Sequence, residues 1–212
     1  MKKINLKYNG LSGQVYVYIK QMILSGEFQA GHKIQEEKVG QLFGVSRTPI
    51  REALKKLSEY GLVVLKPRSN AVVATLTREE AVQLAHIRAQ LEALSVKLLA
   101  DIGTTRDFDH LTKLAEECDA LIAEENVAGA FEIDSTLHLE IARRTKNVHL
   151  YEIIEKLDAK IQLSRLIIKL PIDRLEKFIN QHTKIIQALR ARDRDLSETL
   201  MRHHILHQLS YF

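Results

Sequence analysis

The residues best equipped for chemistry lie in the second half of the chain. Asp134 and His138, in EIDSTLHLEIA, stand four apart and so share one face of a helix. That spacing can offer a carboxylate and an imidazole to one metal ion, or simply join them in a local hydrogen bond. Two more histidines come together if the last two helical stretches form an antiparallel hairpin turning at about Asp193 to Arg194. His182 then lies about 11 residues before the turn and His204 about 10 after it, at nearly the same height for a rise of roughly 1.5 Å per residue. His203 has that height too but is rotated by about 100°, and His207 lies about 4.5 Å further on. Height alone therefore leaves His203 and His204 both open, and His203, His204 and His207 can equally be a polar surface cluster.

A different chemistry is written near the front, in GVSRTPIREAL, Gly44 to Leu54. Ser46 or Thr48 can cap a helix there, and Pro49 fits its first turn, where the missing amide proton would have no partner. Arg47 and Arg51 stand four apart on one face, at the helix end where cations are disfavoured by a few tenths of a kcal/mol or more. That cost is recovered if both arginines and the free amides meet phosphate oxygens or guanine edges. The alternative is ordinary surface pairing with Glu52 or Glu36.

The elements that must position these residues can be read from periodicity. Val15, Tyr18, Ile19, Met22 and Ile23 mark a helix over Leu11 to Ser25, followed by the turn GEFQAGHKI. A second helix runs from about Gln35 to Phe43 and ends at Gly44; a third runs from Arg47 or Pro49 to Tyr60 and ends at Gly61. LVVLKPRSNAVVA alternates β-branched residues around a polar centre, Lys66 to Asn70, as a hairpin does. GEFQAGHK imitates a phosphate-binding loop, but His32 intervenes before Lys33 and no strand precedes it, so no nucleotide site is expected. At Thr77 a capping box with Glu80 opens a long amphipathic run to about Ala100. Further helices are expected at Arg106 to Glu125, Val127 to Thr145, Val148 to Lys169, Asp173 to Arg192 and Asp195 to Leu209. A boundary near Thr75 divides the chain into residues 1–75, three helices plus a hairpin, and residues 76–212, an all-α bundle of about six helices. The fold class is mainly α.

Composition limits what such a chain can be. With 45% apolar and 27% charged residues it is expected to be soluble and globular. Apolar runs reach only about four residues, far below the roughly 18 of a membrane span, and MKKINLKYNG lacks the apolar core of a signal peptide. A single cysteine, Cys118, allows no internal disulfide and reads as helix packing in a reducing, cytoplasmic setting. The net charge of +4 is unevenly spread: up to Leu76 there are 12 Lys and Arg against 5 acids, and afterwards 19 against 22. Only the front part is expected to meet a polyanion.

From Phe28 to Leu62 the chain resembles the winged helix-turn-helix of GntR-type transcriptional regulators, with the turn, SRTPIREAL and the closing Gly61-Leu62 in order. The resemblance implies that Ser46, Arg47, Thr48 and Arg51 contact a DNA operator and that the wing tip, with Lys66, Arg68 and Asn70, lies along the minor groove. The remainder resembles the all-helical ligand domain of the FadR-like branch, called FCD. Arg88 with Glu92 in HIRAQLEAL, Asp134 and His138 followed by Asn147, His182 in QHTKIIQALRARD and His204 in MRHHI carry it. It implies that Asp134, His138, His182 and His204 hold one divalent metal, and it selects His204 over His203. Zn, Ni, Mn and Fe all suit such a donor set. A small carboxylate effector is expected beside the metal, with Arg88 as its partner, or Arg88 merely pairing with Glu92, and with Arg165 as a second candidate. Gln181 stands where the family usually has an acid, and Asn70 where it usually has glycine.

The functional expectation is therefore a homodimeric repressor on a palindromic double-stranded operator, controlled by an organic acid. Competing readings are a regulator for which the metal itself is the signal, and a metal-dependent hydrolase. The hydrolase lacks an identifiable general base and any His-Glu-x-x-His helix.

Overall fold

Val15, Ile19, Met22 and Ile23 recur at helical spacing, and in the computed structural model they form the buried face of α1 (Leu11–Leu24). That face packs on α3 (Arg47–Glu59), which buries Ile50, Ala53, Leu54 and Leu57 in turn. Between them α2 (Glu36–Phe43) contributes Val39 and Phe43, with the Phe43 ring 5.7 Å from that of Tyr18. The turn from α2 to α3 is tight. Gly44 ends α2 at φ 66°, in the left-handed region, and a β-carbon on Gly40 would meet the Val45 carbonyl oxygen at 3.1 Å and Ile50 Cδ1 at 3.2 Å. A larger residue at Gly40 would require these neighbours to give by a few tenths of an ångström. Structure is described for residues 10–67, 70–167 and 181–207 and for Leu209.

The hairpin forms as β2 (Val63–Lys66) and β3 (Asn70–Val73), antiparallel with Val63 opposite Val73 and Lys66 opposite Asn70. Two details differ from the sequence expectation. The stretch read as a turn, GEFQAGHKI, ends in a third strand, β1 (Lys33–Gln35), which pairs with β3 and makes the order β1-β3-β2. With three residues and a single buried side chain, Ile34, β1 is too short to show alternation; the long-range pairing of Ile34 with Ala71 defines it. Asn70, expected within the wing turn, is instead the first residue of β3. Arg68 lies outside the described residues.

Thr77 starts the second unit as its sequence promises. Its hydroxyl accepts from the Glu80 amide while Glu80 accepts from the Thr77 amide at 2.7 Å, which closes the capping box at the start of α4 (Arg78–Ile102). Thr104 and Asp107 repeat the device for α5 (Thr105–Ala123), and the Asn126 side chain caps α6 (Val127–Arg144). The bundle continues with α7 (Val148–Ile167), α8 (Gln181–Arg190) and α9 (Arg194–His207). Of the helix expected from Asp173, only the part from Gln181 is described. Helix α4 packs along α9, α5 pairs with α6, and α8 and α9 form the expected hairpin. Their common core includes Val96, Leu99, Phe108, Leu111, Leu137, Ile141, Ile185, Leu189, Met201 and Ile205. Cys118 is buried with its sulfur 3.2 Å from the Ala130 carbonyl oxygen, a packing role as expected. Contacts divide the chain into Met1–Leu76 and Thr77–Phe212. Among the described residues no helix is long and apolar enough to cross a membrane.

The Thr77 cap sets where α4 begins, and α4 carries Arg88 and Glu92. Thr77→Ala should lower unfolding free energy by about 1 kcal/mol in urea titrations, and an unchanged midpoint would contradict the cap's contribution.

Candidate functional site

The bundle gathers four potential ligands around one point. Asp134 and His138 come from successive turns of α6, His182 from the first turn of α8 and His204 from α9; all four are buried. One donor atom from each lies within 4.8 Å of every other. His182 Nε2 is 3.1 Å from His204 Nε2, which is 3.3 Å from His138 Nε2. Asp134 Oδ1 is 3.2 Å from His182 Nε2 and 3.5 Å from His138 Nε2. His203, left open by height alone, is exposed and stacks on His207 with ring centres 5.4 Å apart.

His138, Asp134 and His204 are each held from behind. His138 Nδ1 faces the Glu92 carboxylate, and Glu92 also receives Arg88 Nε at 2.5 Å, so α4 supplies a buried Arg88–Glu92–His138 chain. Arg165 of α7 binds Asp134 Oδ2, lies 3.2 Å from the Phe131 carbonyl oxygen and sits over the Phe131 ring. Beside it the Ser135 hydroxyl donates to buried Asp158 at 2.8 Å. His204 Nδ1 lies 3.3 Å from Gln181 Oε1. Sequence reasoning named these four residues together and allowed the Arg88–Glu92 pair, but not the contacts of Glu92 with His138, Arg165 with Asp134 or Gln181 with His204. A signal for the first of these was present in Arg88, Glu92 and Ser95, polar residues on a face of α4 otherwise made of Ala89, Ala93, Val96 and Leu99.

The electrostatics follow from that arrangement. Burial pushes the Glu92 carboxyl up, but Arg88 and His138 outweigh it and hold it down at about 2. Burial opposes the Asp134 anion too, yet Arg165, His138 and His182 hold it well below the usual carboxylate range. Burial pushes His182 down, and burial with the neighbouring imidazoles pushes His204 well down, so both favour the neutral form that ligates metal. For His138 burial is outweighed by Glu92 and the value rises.

These residues fit a cation. When both rings are neutral with the proton on Nδ1, His138 beside Glu92 and His204 beside Gln181, the two Nε2 atoms 3.3 Å apart present lone pairs to the same point. Asp134 Oδ1 is buried and accepts no hydrogen bond among the described residues. A positive ion among the Nε2 atoms and Oδ1 satisfies every one of them. The donor set of three imidazoles and one carboxylate is the borderline kind that transition metals accept.

In the first unit Ser46, Arg47, Thr48 and Arg51 come together, all exposed, at the start of α3. Ser46 holds the N-cap position in extended backbone, but its side chain makes no capping hydrogen bond. Arg47 lies 3.4 Å from Glu37, both largely in solvent, a pair too weak to compete with a phosphate. Arg51 Nε binds buried Glu36 at 2.8 Å, while 57% of its side chain stays exposed. Of the two acids open to either arginine in the surface-pair reading, Glu36 pairs with Arg51, while Arg47 meets Glu37, which that reading did not name. Lys66 is exposed at the end of β2, opposite Asn70.

A three-helix head with a hairpin, followed by a helical bundle with a buried Asp/His cluster, is a plan found in DNA-binding transcriptional regulators. Residues 11–73 match the gntR family of bacterial regulatory proteins, and residues 83–207 match the FCD domain. The chain belongs to the GntR regulators of the FCD branch. It is 26% identical over 199 residues to the HTH-type transcriptional regulator YdhC of Bacillus subtilis (strain 168), covering 93% of this chain and 89% of that protein. Identity to the HTH-type transcriptional repressor RspR of Escherichia coli (strain K12) is 26%, over 91% of this chain and 84% of that one. The Escherichia coli McbR/YncC structure superposes with a TM-score of 0.83 at 22% identity, over 94% of this chain and 95% of that chain. The family regulates transcription and is not enzymatic, which removes the hydrolase reading.

Asp134→Asn should be strongly destabilising, by about 3–5 kcal/mol, because it leaves the Arg165 guanidinium buried without its anion. Urea unfolding of metal-stripped protein measures this, and a loss under about 1 kcal/mol would contradict the pairing. Because Glu92 and Asp134 are depressed from their ordinary 4.5 and 3.8, the stability they contribute is complete above about pH 4.5 and is lost as pH falls towards 2. Unfolding free energy of wild type that stays level from pH 5 to 3 would contradict that sign.

Proposed function

We propose that this regulator is a homodimeric repressor whose hold on a palindromic operator is set by a divalent transition metal and a small organic acid at the Asp134, His138, His182 and His204 cluster. The observation that carries the reading is the gathering of four buried donor atoms within 4.8 Å of one another. The names of relatives support repression: RspR is called a transcriptional repressor, as is the gluconate operon protein of Bacillus licheniformis, 28% identical over 84% of this chain and 75% of that one. When bound, the metal would supply a positive charge able to take an acid's carboxylate at an open coordination position.

In this reading residues 1–75 are the DNA-binding head. Ser46, Arg47, Thr48 and Arg51 enter the major groove, where Arg47 exchanges Glu37 for phosphate and Arg51, steadied by Glu36, reaches a phosphate or guanine edge. Lys66, Asn70 and Arg68 follow the minor groove. Residues 76–212 bind effector and join the two copies, so that ligand binding alters the spacing of the heads. An acid could reach Arg165 or Arg88 only by exchange, since both already hold carboxylates, Asp134 and Glu92 respectively. That commitment favours a second reading in which the ion alone is the signal.

Operator binding by fluorescence anisotropy tests both. Arg51→Ala should weaken binding about tenfold or more. His182→Ala should leave operator affinity within about twofold while abolishing its response to metal and acid; the opposite pattern contradicts the assignment. An organic acid that changes the affinity of the metal-loaded protein supports the first reading, and a response to metal with none to any acid supports the second.

A further inference from the structure

The imidazoles of His138 and His204 present the same atom to the cluster, but the groups behind them differ in charge. His138 Nδ1 faces the Glu92 carboxylate, which is 2% exposed and shared with Arg88. Behind His204 Nδ1, at 3.3 Å, stands the neutral amide oxygen of Gln181. A carboxylate accepting Nδ1–H pushes electron density into the ring and strengthens Nε2 as a donor, while it also holds the tautomer that exposes the Nε2 lone pair. An amide oxygen holds the same tautomer but gives far less charge. Arg88, 2.5 Å from the same carboxylate, draws part of that charge away again.

We propose that Glu92 and Gln181 are positioning residues of unequal strength, Glu92 making His138 a strong metal donor and Gln181 leaving His204 a weak one, so that the site exchanges its metal. Position 181 is well placed to set this property. It is the first described residue of α8 and the immediate neighbour of His182, so its side chain acts on a donor of the other hairpin arm, α9, without ligating anything itself. Replacing Gln181 by an acid would place a second carboxylate behind a second imidazole and convert an exchangeable site into a retentive one. The proposal deepens the metal reading above and rests on it.

Zinc is the probe, titrated into full-length, chelator-stripped protein against a chromogenic zinc indicator, with circular dichroism recorded for each variant. Gln181→Glu should tighten zinc about tenfold or more and slow its loss to chelator, a gain that no folding defect can imitate. Glu92→Gln should weaken zinc about tenfold to a hundredfold. Nitrogen-15 spectra of the zinc-free protein should show His138 protonated at Nδ1, and that single tautomer should be lost in Glu92→Gln. If Glu92→Gln fails to fold, Gln181→Glu decides alone. Unchanged or weaker zinc affinity in Gln181→Glu, or wild-type affinity in a folded Glu92→Gln, overturns the proposal. Should the wild type take up no zinc or other divalent ion, the metal reading itself fails and this one falls with it.

Discussion

The helical unit is organised around one carboxylate that water does not reach. Asp134 has no exposed surface, and its two oxygens are divided between different tasks: Oδ2 holds Arg165 of α7, while Oδ1 faces the imidazoles of His138 and His182. Taking an anion out of water costs several kcal/mol, and attraction to one guanidinium recovers that only with good geometry and further hydrogen bonds. Apolar side chains of similar size would serve stability at least as well. A buried charge set with its remaining oxygen aimed at two imidazoles makes physical sense as a receptor for a positive ion. From this constraint follows the polar lining of α4, where Arg88 and Glu92 brace His138, and the closeness of α8 to α9 at His182 and His204.

The DNA-binding head solves an opposite problem, that of keeping charge exposed and ready. The start of α3 carries two arginines where the helix dipole disfavours them. The acids at the start of α2 ease that conflict unequally: Glu37 is mostly solvated and holds Arg47 loosely, whereas Glu36 is buried and holds Arg51 by one nitrogen. One side chain is held loosely in solvent and the other is anchored. Gly40 and Gly44 make the turn that brings these acids beside α3. In the two units the same kinds of ion pair thus serve different ends, set by burial: exposed pairs exchange readily, buried ones fix geometry.

Much of this was legible in the chain before any coordinates. Apart from α8, whose expected start lies outside the described residues, each described helix of the bundle begins and ends within a few residues of its periodic run, because caps such as Thr77 with Glu80 are local and self-announcing. Placing His182 and His204 at one height needed only the hairpin and the helical rise, and their Nε2 atoms stand 3.1 Å apart. Choosing His204 over His203 needed a family pattern, since a rotation of 100° about a helix has no sequence signature without knowing which face is buried. Strand β1 was missed because its pairing partner lies some forty residues away, and the Gln181 contact with His204 because it joins two helices through side chains that could equally face solvent.

The account's central claim is that a metal ion belongs among Asp134, His138, His182 and His204. Elemental analysis combined with X-ray absorption on the protein as purified from its native cells, without added metal, tests it most directly. The account predicts about one divalent transition metal per chain with imidazole nitrogens and a carboxylate oxygen in its coordination shell, lost when His138 is replaced by Ala. A protein carrying no stoichiometric metal, and gaining none on exposure to zinc, nickel, manganese or iron, would contradict it.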